Sequence, residues 1–297
     1  MIRTLIISLF FTNTLLAQLP ETDIWLFKIE KKESSGSSDA KKKENVYSYS
    51  NPLNITHRAG YDNQPTFSLD GKSILYVVID STKQADIYQY NISKKVSLNI
   101  TKSEVSEYSP TILPNVLGFS CVVVEKDSAQ RVWKFNLDGK FHSIAHEGTD
   151  SIGYHTWLNN DTLLYYKLTN PHSLRVLNIK TNEDHWLCDH PTRAFKKIGN
   201  SSQFMYAIKD SIHIEFRIYN PSLRESKLYA TYPTANEDFI WHNELGLIKS
   251  ENADLMRYNE QTKNWEILFS FSSLGIKKIT RFVFDSKTKQ LAIVSNL

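Results

Sequence analysis

The sequence predicts an all-β fold, a six-bladed β-propeller whose blades are four-stranded antiparallel sheets. Two observations lead to this prediction. Residues 63–101 contain four short strand patterns separated by turns, and about forty residues is the size of one propeller blade. The pattern of the third strand then recurs along the chain at a nearly constant spacing. Residues 63–101 are the best-preserved copy, and they are called the reference blade.

The reference blade is predicted to have strands at residues 65–68, 73–79, 86–92 and 96–101. Asp70 and Gly71 separate the first two strands, and both residue types favour tight turns. The second strand is apolar almost throughout, which indicates that both of its faces are covered. In a propeller, the neighbouring blades provide this cover.

The third-strand pattern occurs six times, at residues 23–29, 86–92, 131–137, 173–179, 215–221 and 254–260. Five copies have asparagine at the sixth position, spaced 45, 42, 42 and 39 residues apart: Asn91, Asn136, Asn178, Asn220 and Asn259. Because its side chain can bond nearby backbone, asparagine suits the turn into a fourth strand. First- and second-strand patterns also recur, at residues 108–124, 154–168, 194–208, 238–250 and 279–296.

The two ends of the chain each supply half a blade. Residues 279–296 give a first and a second strand, and residues 23–29 and 46–56 give a third and a fourth. The predicted ring therefore closes through one blade shared by both termini, which leaves no open sheet edge. Residues 31–45 interrupt this blade. Acidic residues dilute their lysines, so a flexible charged loop is favoured over a basic docking arm.

Residues 1–17 are predicted to be a secretory signal peptide, and residues 18–297 the propeller. Arg3 precedes an apolar run, and cleavage is expected near Ala17. The alternative is a membrane anchor, but the apolar run at residues 5–11 is shorter than the roughly 20 residues of a spanning helix. No later stretch is long and apolar enough. The protein is therefore expected to be exported and not membrane-spanning.

The charge of the chain is close to balanced. Its formal charge is +3, and removal of Arg3 with the signal peptide leaves +2. A nucleic-acid-binding protein would show a basic stripe, so no nucleic-acid partner is expected.

The two cysteines, Cys121 and Cys188, are too few for a disulfide framework. Cys121 is expected to pack as a small apolar side chain, and a single bridge between the two stays open.

No catalytic or cofactor-binding motif is present. The chain lacks a nucleophile elbow, a P-loop, a CxxC pair and an HExxH motif. His142 and His146 are four residues apart, which in a strand is about 13 Å and too far for two ligands of one metal ion. The sequence therefore predicts no catalytic residue, no cofactor and no metal.

The reference blade resembles the WD40-like PD40 repeat of TolB-like β-propellers. The shared pattern is Thr56, then Pro65-x-Phe67-Ser68-Leu69-Asp70-Gly71-Lys72, then Asp86-Ile87-Tyr88 and a closing Ile100-Thr101. Phe67 stands where the repeat has tryptophan, and Leu69 where it has proline. The resemblance implies an exported propeller used as a binding surface, and it transfers no catalytic residue. The small α/β domain that precedes the propeller in TolB is expected to have no counterpart.

Four residues are candidates for binding at the mouth of the propeller channel. His155 and Trp157 lie at the start of one blade, and Trp241 and His242 at the equivalent place in another. Starts of first strands line the channel of a propeller, so these side chains could face a ligand. The alternative is packing between blades, which is the commoner role of aromatic residues.

The predicted function is a non-enzymatic, monomeric scaffold that binds a protein partner in the bacterial periplasm or at the cell surface. Two alternatives stay open. One is an enzyme that acts on glycans through the channel, as a lyase or a hydrolase. The other is a sensor of a small ligand or a metal. The enzyme would need converging carboxylates, for which the candidates are Asp62, Glu107, Asp150 and Glu237.

Overall fold

Short strands joined by tight turns make up the fold. The computed structural model describes residues 19–33, 45–114, 117–233, 236–285, 287 and 289–296. The predicted signal peptide and residues 34–44 of the predicted loop lie outside these ranges. In the described chain the strands are β1 (Thr22–Glu33), β2 (Asn45–Asn54), β3 (Tyr61–Phe67), β4 (Ser73–Ile79), β5 (Ala85–Asn91), β6 (Val96–Asn99), β7 (Ser106–Ile112), β8 (Phe119–Val124), β9 (Gln130–Phe135), β10 (Phe141–Ile144), β11 (Ile152–Trp157), β12 (Thr162–Lys167), β13 (Ser173–Asn178), β14 (Glu183–Asp189), β15 (Pro191–Lys197), β16 (Phe204–Lys209), β17 (His213–Asn220), β18 (Glu225–Pro233), β19 (Phe239–His242), β20 (Gly246–Glu251), β21 (Asp254–Asn259), β22 (Asn264–Ser270), β23 (Ile279–Phe284) and β24 (Gln290–Asn296).

The strands form four-stranded antiparallel sheets. Four separate sheets contain β7–β10, β11–β14, β15–β18 and β19–β22. The remaining strands form two further antiparallel groups, β3–β6 and β23-β24-β1-β2. One parallel pair, Thr22 with Tyr61, joins these two groups into a single sheet. The pairing of β1 with β24 brings the two ends of the described chain together, as the sequence predicts.

The first strand of each sheet lies beside the first strand of the next. β3 contacts β7, β7 contacts β11, and the series continues through β15, β19 and β23, which contacts β3. Second strands are the most buried: every residue of β4 is buried, as its apolar sequence predicts. Apolar clusters of adjacent sheets cover both faces of these strands.

In the part of the chain that the structure describes, five first strands contain a register shift. The shifts lie between Asn63 and Thr66 in β3 and between Tyr108 and Thr111 in β7, and β11, β15 and β23 each contain a shift over a different number of residues from that in β3 and β7. Gln64 and Ser109 both precede a proline and have φ of 56° and 54°. Such bulges redirect the side chains of a strand. They turn residues of the first strands into the space between these strands.

The repeated asparagines end the third strands as predicted. The side-chain oxygens of Asn91, Asn178, Asn220 and Asn259 each accept backbone N–H groups two or three residues further along. In the remaining copy, Asp138 accepts from the N–H of Lys140 instead. The period of the sequence therefore marks the turn between third and fourth strands.

Threonines that follow two of the fourth strands form hydrogen bonds with the backbone of the third strands. The hydroxyl of Thr56 accepts the N–H of Ile24, and the hydroxyl of Thr101 accepts the N–H of Ile87, both at 3.0 Å. Thr56 also donates to Asp23, at 3.1 Å. The matched threonines of the repeat pattern thus fix the end of a fourth strand to the third strand of the same blade.

The largest differences from the predicted strand boundaries are in β3 and β1. β3 begins at Tyr61, ahead of the predicted start at residue 65, because the strand continues through a bulge at Gln64 that resembles a turn in sequence. β1 and β2 extend into residues 31–45, where Lys31 pairs with Tyr47 across the sheet. Lys31 also forms an exposed ion pair with Glu244, at 2.8 Å.

Both cysteines are free, buried thiols. Cys121 packs with residues of β4 and β8, and Cys188 packs in another apolar cluster. The predicted apolar role of Cys121 is confirmed. No helix in the described part of the chain is long and apolar enough to cross a membrane.

Candidate binding cavity between the first strands

Residues of β3, β7, β11, β15 and β23, together with Asp238 just before β19, enclose a cavity of about 300 Å³. It is called the central cavity. Its polar lining includes Gln64, Ser109, His155, Arg193, Lys196, Asp238 and Arg281. Several of the first strands contribute residues at or beside their bulges to the lining of this cavity.

Among the described residues that line the central cavity, Arg281 and Asp238 form the one ion pair. Arg281 Nη1 lies 3.9 Å from Asp238 Oδ1, while Asp238 Oδ2 accepts the N–H of Phe282 at 3.0 Å. The Arg281 guanidinium also lies over the ring of Tyr154, 5.4 Å from its centroid. Asp238 therefore has a charged partner and a backbone donor that fix its position.

Arg193 and Lys196 have no carboxylate partner among the described residues. Arg193 Nη2 donates to the carbonyl of Thr280 at 3.3 Å, whereas its Nε is buried without a hydrogen-bond partner. Burial lowers the pKa of Lys196, the nearby Asp238 opposes this, and Arg281 adds to it. The central cavity thus presents three cationic side chains and a single carboxylate.

A second cavity adjoins the central one at the beginnings of the first strands. This mouth cavity has a volume of about 460 Å³ and shares Arg193 and Arg281 with the central cavity. Its lining also contains Lys278 and the ion pair of Lys209 with Glu237, whose N–O distance is 3.0 Å. The two shared arginines therefore stand between the mouth cavity and the central cavity.

His155 and Trp157 are placed differently from each other. His155 lines the central cavity but is 6% exposed, and its Nε2 lies 2.7 Å from Ser120 Oγ. Trp157 Nε1 donates to the same hydroxyl, at 2.9 Å. Burial lowers the pKa of His155 to about 3, so its ring is neutral at physiological pH. Trp157 lines a separate cavity, where Lys134 lies over its ring.

Trp241 and His242 line a third cavity, which has a volume of about 370 Å³ and lies at the far ends of the first strands. This cavity shares Lys196 and Val283 with the central cavity. His242 Nδ1 accepts the N–H groups of Glu244 and Leu245 in the turn after β19. The structure therefore does not bring the four sequence candidates together, and His155 alone of them lines the central cavity.

The candidate carboxylates do not converge in the central cavity. Asp62 is buried and pairs with Arg58 at 2.7 Å, and Glu107 is buried and accepts from Thr101 and Ser103. Asp150 accepts backbone N–H groups in an exposed turn. Glu237 lines the mouth cavity, paired with Lys209. In the part of the chain that the structure describes, no group of three or more His, Cys, Asp or Glu residues could hold a metal ion.

The sequence interpretation did not select Arg193, Lys196 or Arg281. All three are cationic residues within first strands whose other residues are largely apolar. The available signal is a cationic residue within a first strand that is otherwise largely apolar, which a comparison of the first strands would show.

Glu107 is expected to make stability depend on pH. Burial raises its pKa to about 7, although the hydroxyls of Ser103 and Thr101 oppose the shift. The folded state then binds more protons than the unfolded state between the ordinary glutamate pKa and about 7, so stability falls as pH rises through this window. Relative to the wild type, Glu107→Gln should gain about 1 to 3 kcal/mol in free energy of unfolding between pH 4.5 and pH 7.5.

Urea unfolding of both proteins at these two pH values measures this gain. Glu104→Gln is the matched control, since Glu104 is exposed and pairs with Lys126 at the surface. Its stability difference from the wild type should change little with pH. If the stability difference between Glu107→Gln and the wild type were also independent of pH, the Glu107 carboxyl would ionise normally in the folded protein.

Known sequences do not show which family the chain belongs to. No family model matches the chain. Over 143 residues, or 46% of the chain, it is 27% identical to the mouse proto-oncogene tyrosine-protein kinase ROS, of which it spans 6%. This local likeness covers too little of either protein to assign a family.

Solved structures that resemble this chain support one fold. A TolB protein from Agrobacterium tumefaciens has a TM-score of 0.66 and 9% identity, covering 94% of this chain and 99% of that one. A chain of a nidogen/laminin complex has a TM-score of 0.59 and 9% identity, with coverages of 92% and 98%. Oligogalacturonate lyase from Vibrio parahaemolyticus has a TM-score of 0.55 and 12% identity, with coverages of 84% and 83%. At these identities the likeness concerns the fold alone, and the chain folds as a β-propeller with four-stranded antiparallel blades.

Proposed function

We propose that this protein is an exported, non-enzymatic β-propeller that binds a protein partner through its channel. Its six blades form a ring, one of them shared by the two ends of the chain. The contacts of β3 through successive first strands to β23 and back support the ring. The pairing of β1 with β24 supports the shared blade. A closed ring leaves its loops and channel mouths as the natural binding surfaces.

The observation that carries the proposal is the make-up of the central cavity. Two of its cationic side chains have no carboxylate partner among the described residues, and its one carboxylate is held by Arg281 and a backbone N–H. Hydrolysis or elimination on a glycan calls for two groups that exchange protons with the substrate. The cavity is better suited to holding a ligand than to transforming it.

Residues 1–17 supply the export signal in this proposal, and the mature protein acts as a monomer in the periplasm or at the cell surface. The positive residue followed by an apolar run supports this role. The resemblance of the reference blade to TolB-like repeats, which implies an exported propeller, agrees with this role. The nidogen/laminin complex is an example of a propeller-fold neighbour in a protein complex.

Site-specific photocrosslinking in living cells tests the proposal. A photoreactive residue at position 278, in the lining of the mouth cavity, should give a discrete adduct with one protein. The same residue at position 227, on an outer strand with a side chain 78% exposed, should give none. Adducts of equal yield and pattern at both positions, or at neither, would argue against a channel-binding scaffold.

A glycan-acting enzyme is the second candidate. It is favoured by His155 in the same cavity as the arginines, and by an oligogalacturonate lyase among the structures of similar fold. Incubation of the purified protein with oligogalacturonate should release no unsaturated product. Turnover that is lost in His155→Gln and retained in His142→Gln, a change at an exposed histidine, would replace the scaffold proposal with this one.

A further inference from the structure

The central cavity has an excess of positive charge. Arg193, Lys196 and Arg281 face one carboxylate, that of Asp238. The mouth cavity continues this excess, since Lys209 and Lys278 line it with Glu237. Charges of one sign in a concave, partly dry site reinforce one another, because few water molecules screen them. An anion entering from the mouth therefore meets an increasingly favourable potential.

Arg193 is the side chain that most clearly lacks a partner. Its Nη2 reaches only a carbonyl, and its buried Nε has no acceptor. A buried donor without an acceptor is costly, and a guanidinium presents its donors in a fork that matches the two oxygens of a carboxylate. A carboxylate bound there would satisfy Nε and add a charge-assisted bond.

The positions of the cations define a path. Arg193 and Arg281 line both the mouth cavity and the central cavity, whereas Lys196 lines the central cavity and the one beyond it. An extended chain that enters from the mouth thus reaches the arginines first and Lys196 afterwards. The neutral polar groups of Gln64 and Ser109 face it on the other side, with the Ser109 N–H bonded to Gln64 Oε1 at 2.5 Å.

We propose that the central cavity binds carboxylate groups of an acidic, extended segment of the partner protein, with Arg193 and Lys196 as the residues that recognise them. The proposal rests on the proposed function, since it takes the partner to be a protein that enters the channel. The excess of two cations matches a segment with two or more carboxylates in succession. Arg281 supports the site by holding Asp238 away from the ligand.

Calorimetric titration with a peptide of six glutamates tests this. The wild-type protein should bind it, with an affinity that falls as the salt concentration rises, and should not bind a peptide of six glutamines. Arg193→Gln and Lys196→Gln should each weaken binding roughly tenfold or more, the effect of losing one charge-assisted hydrogen bond. Arg281→Gln is not used, because it would leave the buried Asp238 without its counter-charge.

Lys227→Gln is the matched control. It removes the same charge from an outer strand, where Lys227 lies 3.8 Å from Glu225, and should leave binding unchanged. Thermal unfolding of each variant without peptide shows that the fold is kept. Equal weakening by Lys227→Gln, or wild-type binding of both peptides alike, would overturn the proposal by showing that the attraction is general rather than local.

Titration with trigalacturonate separates this inference from the proposed function. If trigalacturonate binds through Arg193 and Lys196 while the glutamate peptide does not, the carboxylate site stands and the protein partner is wrong. If neither binds, the carboxylate inference fails, whereas the crosslinking from position 278 still decides whether a protein enters the mouth. Binding of the glutamate peptide alone supports both.

Discussion

Replacing Glu251 with glutamine is expected to lower the free energy of unfolding by about 3 kcal/mol at pH 7, because it leaves a buried ammonium group without its counter-charge. Lys249 is on the second strand β20, and its side chain has no exposed surface. Its Nζ lies 2.7 Å from Glu251 Oε2 and 3.4 Å from the ring centroid of Tyr232 on β18. This lysine thereby links two adjacent sheets.

The pH dependence gives the prediction a second readout. Burial lowers the pKa of Lys249, and the hydrogen bond to Glu251 opposes this. Without Glu251 the pKa falls further, so the folded state prefers the neutral amine. The stability of Glu251→Gln, measured against the wild type by urea unfolding, should therefore recover as pH rises from 7 towards 10.

Lys249→Met is the matched variant. It removes the charge, keeps a long side chain against Tyr232, and should remain within about 1 kcal/mol of the wild type or exceed it. Adding Lys249→Met to Glu251→Gln should restore the stability that the single change removes. A Glu251→Gln protein as stable as the wild type at pH 7 would mean that Lys249 is already neutral or reaches water.

Gly139→Ala is expected to destabilise the protein by about 3 kcal/mol or more, through backbone strain and a collision between blades. Gly139 lies in the turn between β9 and β10 and has φ of 81°. A Cβ atom there would lie 1.9 Å from the carbonyl oxygen of Ile100, at the end of the neighbouring sheet. Since backbone atoms form this contact, neither side can move without displacing a blade.

Gly246→Ala measures the backbone strain without the collision. Gly246 has φ of 73°, and a Cβ atom there would meet nothing within 4 Å. This change should therefore cost about 1 kcal/mol, the strain of the left-handed backbone alone. Thermal and urea unfolding of both variants give the comparison, and equal costs would show that the turn at Gly139 yields without resistance.

The regular parts of this fold could be predicted from the sequence because they depend on local interactions. Four of the five asparagines accept N–H groups in the turn into a fourth strand, and Asp138 does so in the copy that has Asn136, because each turn needs such an acceptor. The bounds of β4 were predicted correctly at residues 73–79, since a strand covered on both faces is apolar throughout. The burial of Cys121 followed from the same reasoning.

The candidate cavity could not be predicted in the same way. His155, Trp157, Trp241 and His242 were grouped by their positions in the repeat, yet the structure places them in three separate cavities. Position along the strand decides the cavity as much as the face does. His155 and Trp157 lie on one face of β11, two residues apart, and both bind the hydroxyl of Ser120, yet they line different cavities. Trp241 and His242 lie at the end of β19, beyond the residues that enclose the central cavity.

The sequence by itself determined that the chain is all-β, that its strands come in groups of four, and that its two ends pair as parts of one sheet. Only the tertiary structure decided which side chains share the central space. Arg193 reaches a carbonyl 87 residues away, at Thr280, and Asp238 binds a backbone N–H 44 residues away, at Phe282. Repetition in the sequence records the turns and strands that every blade needs. Cationic residues that occur once each are brought together only when bulged first strands from different sheets face one another.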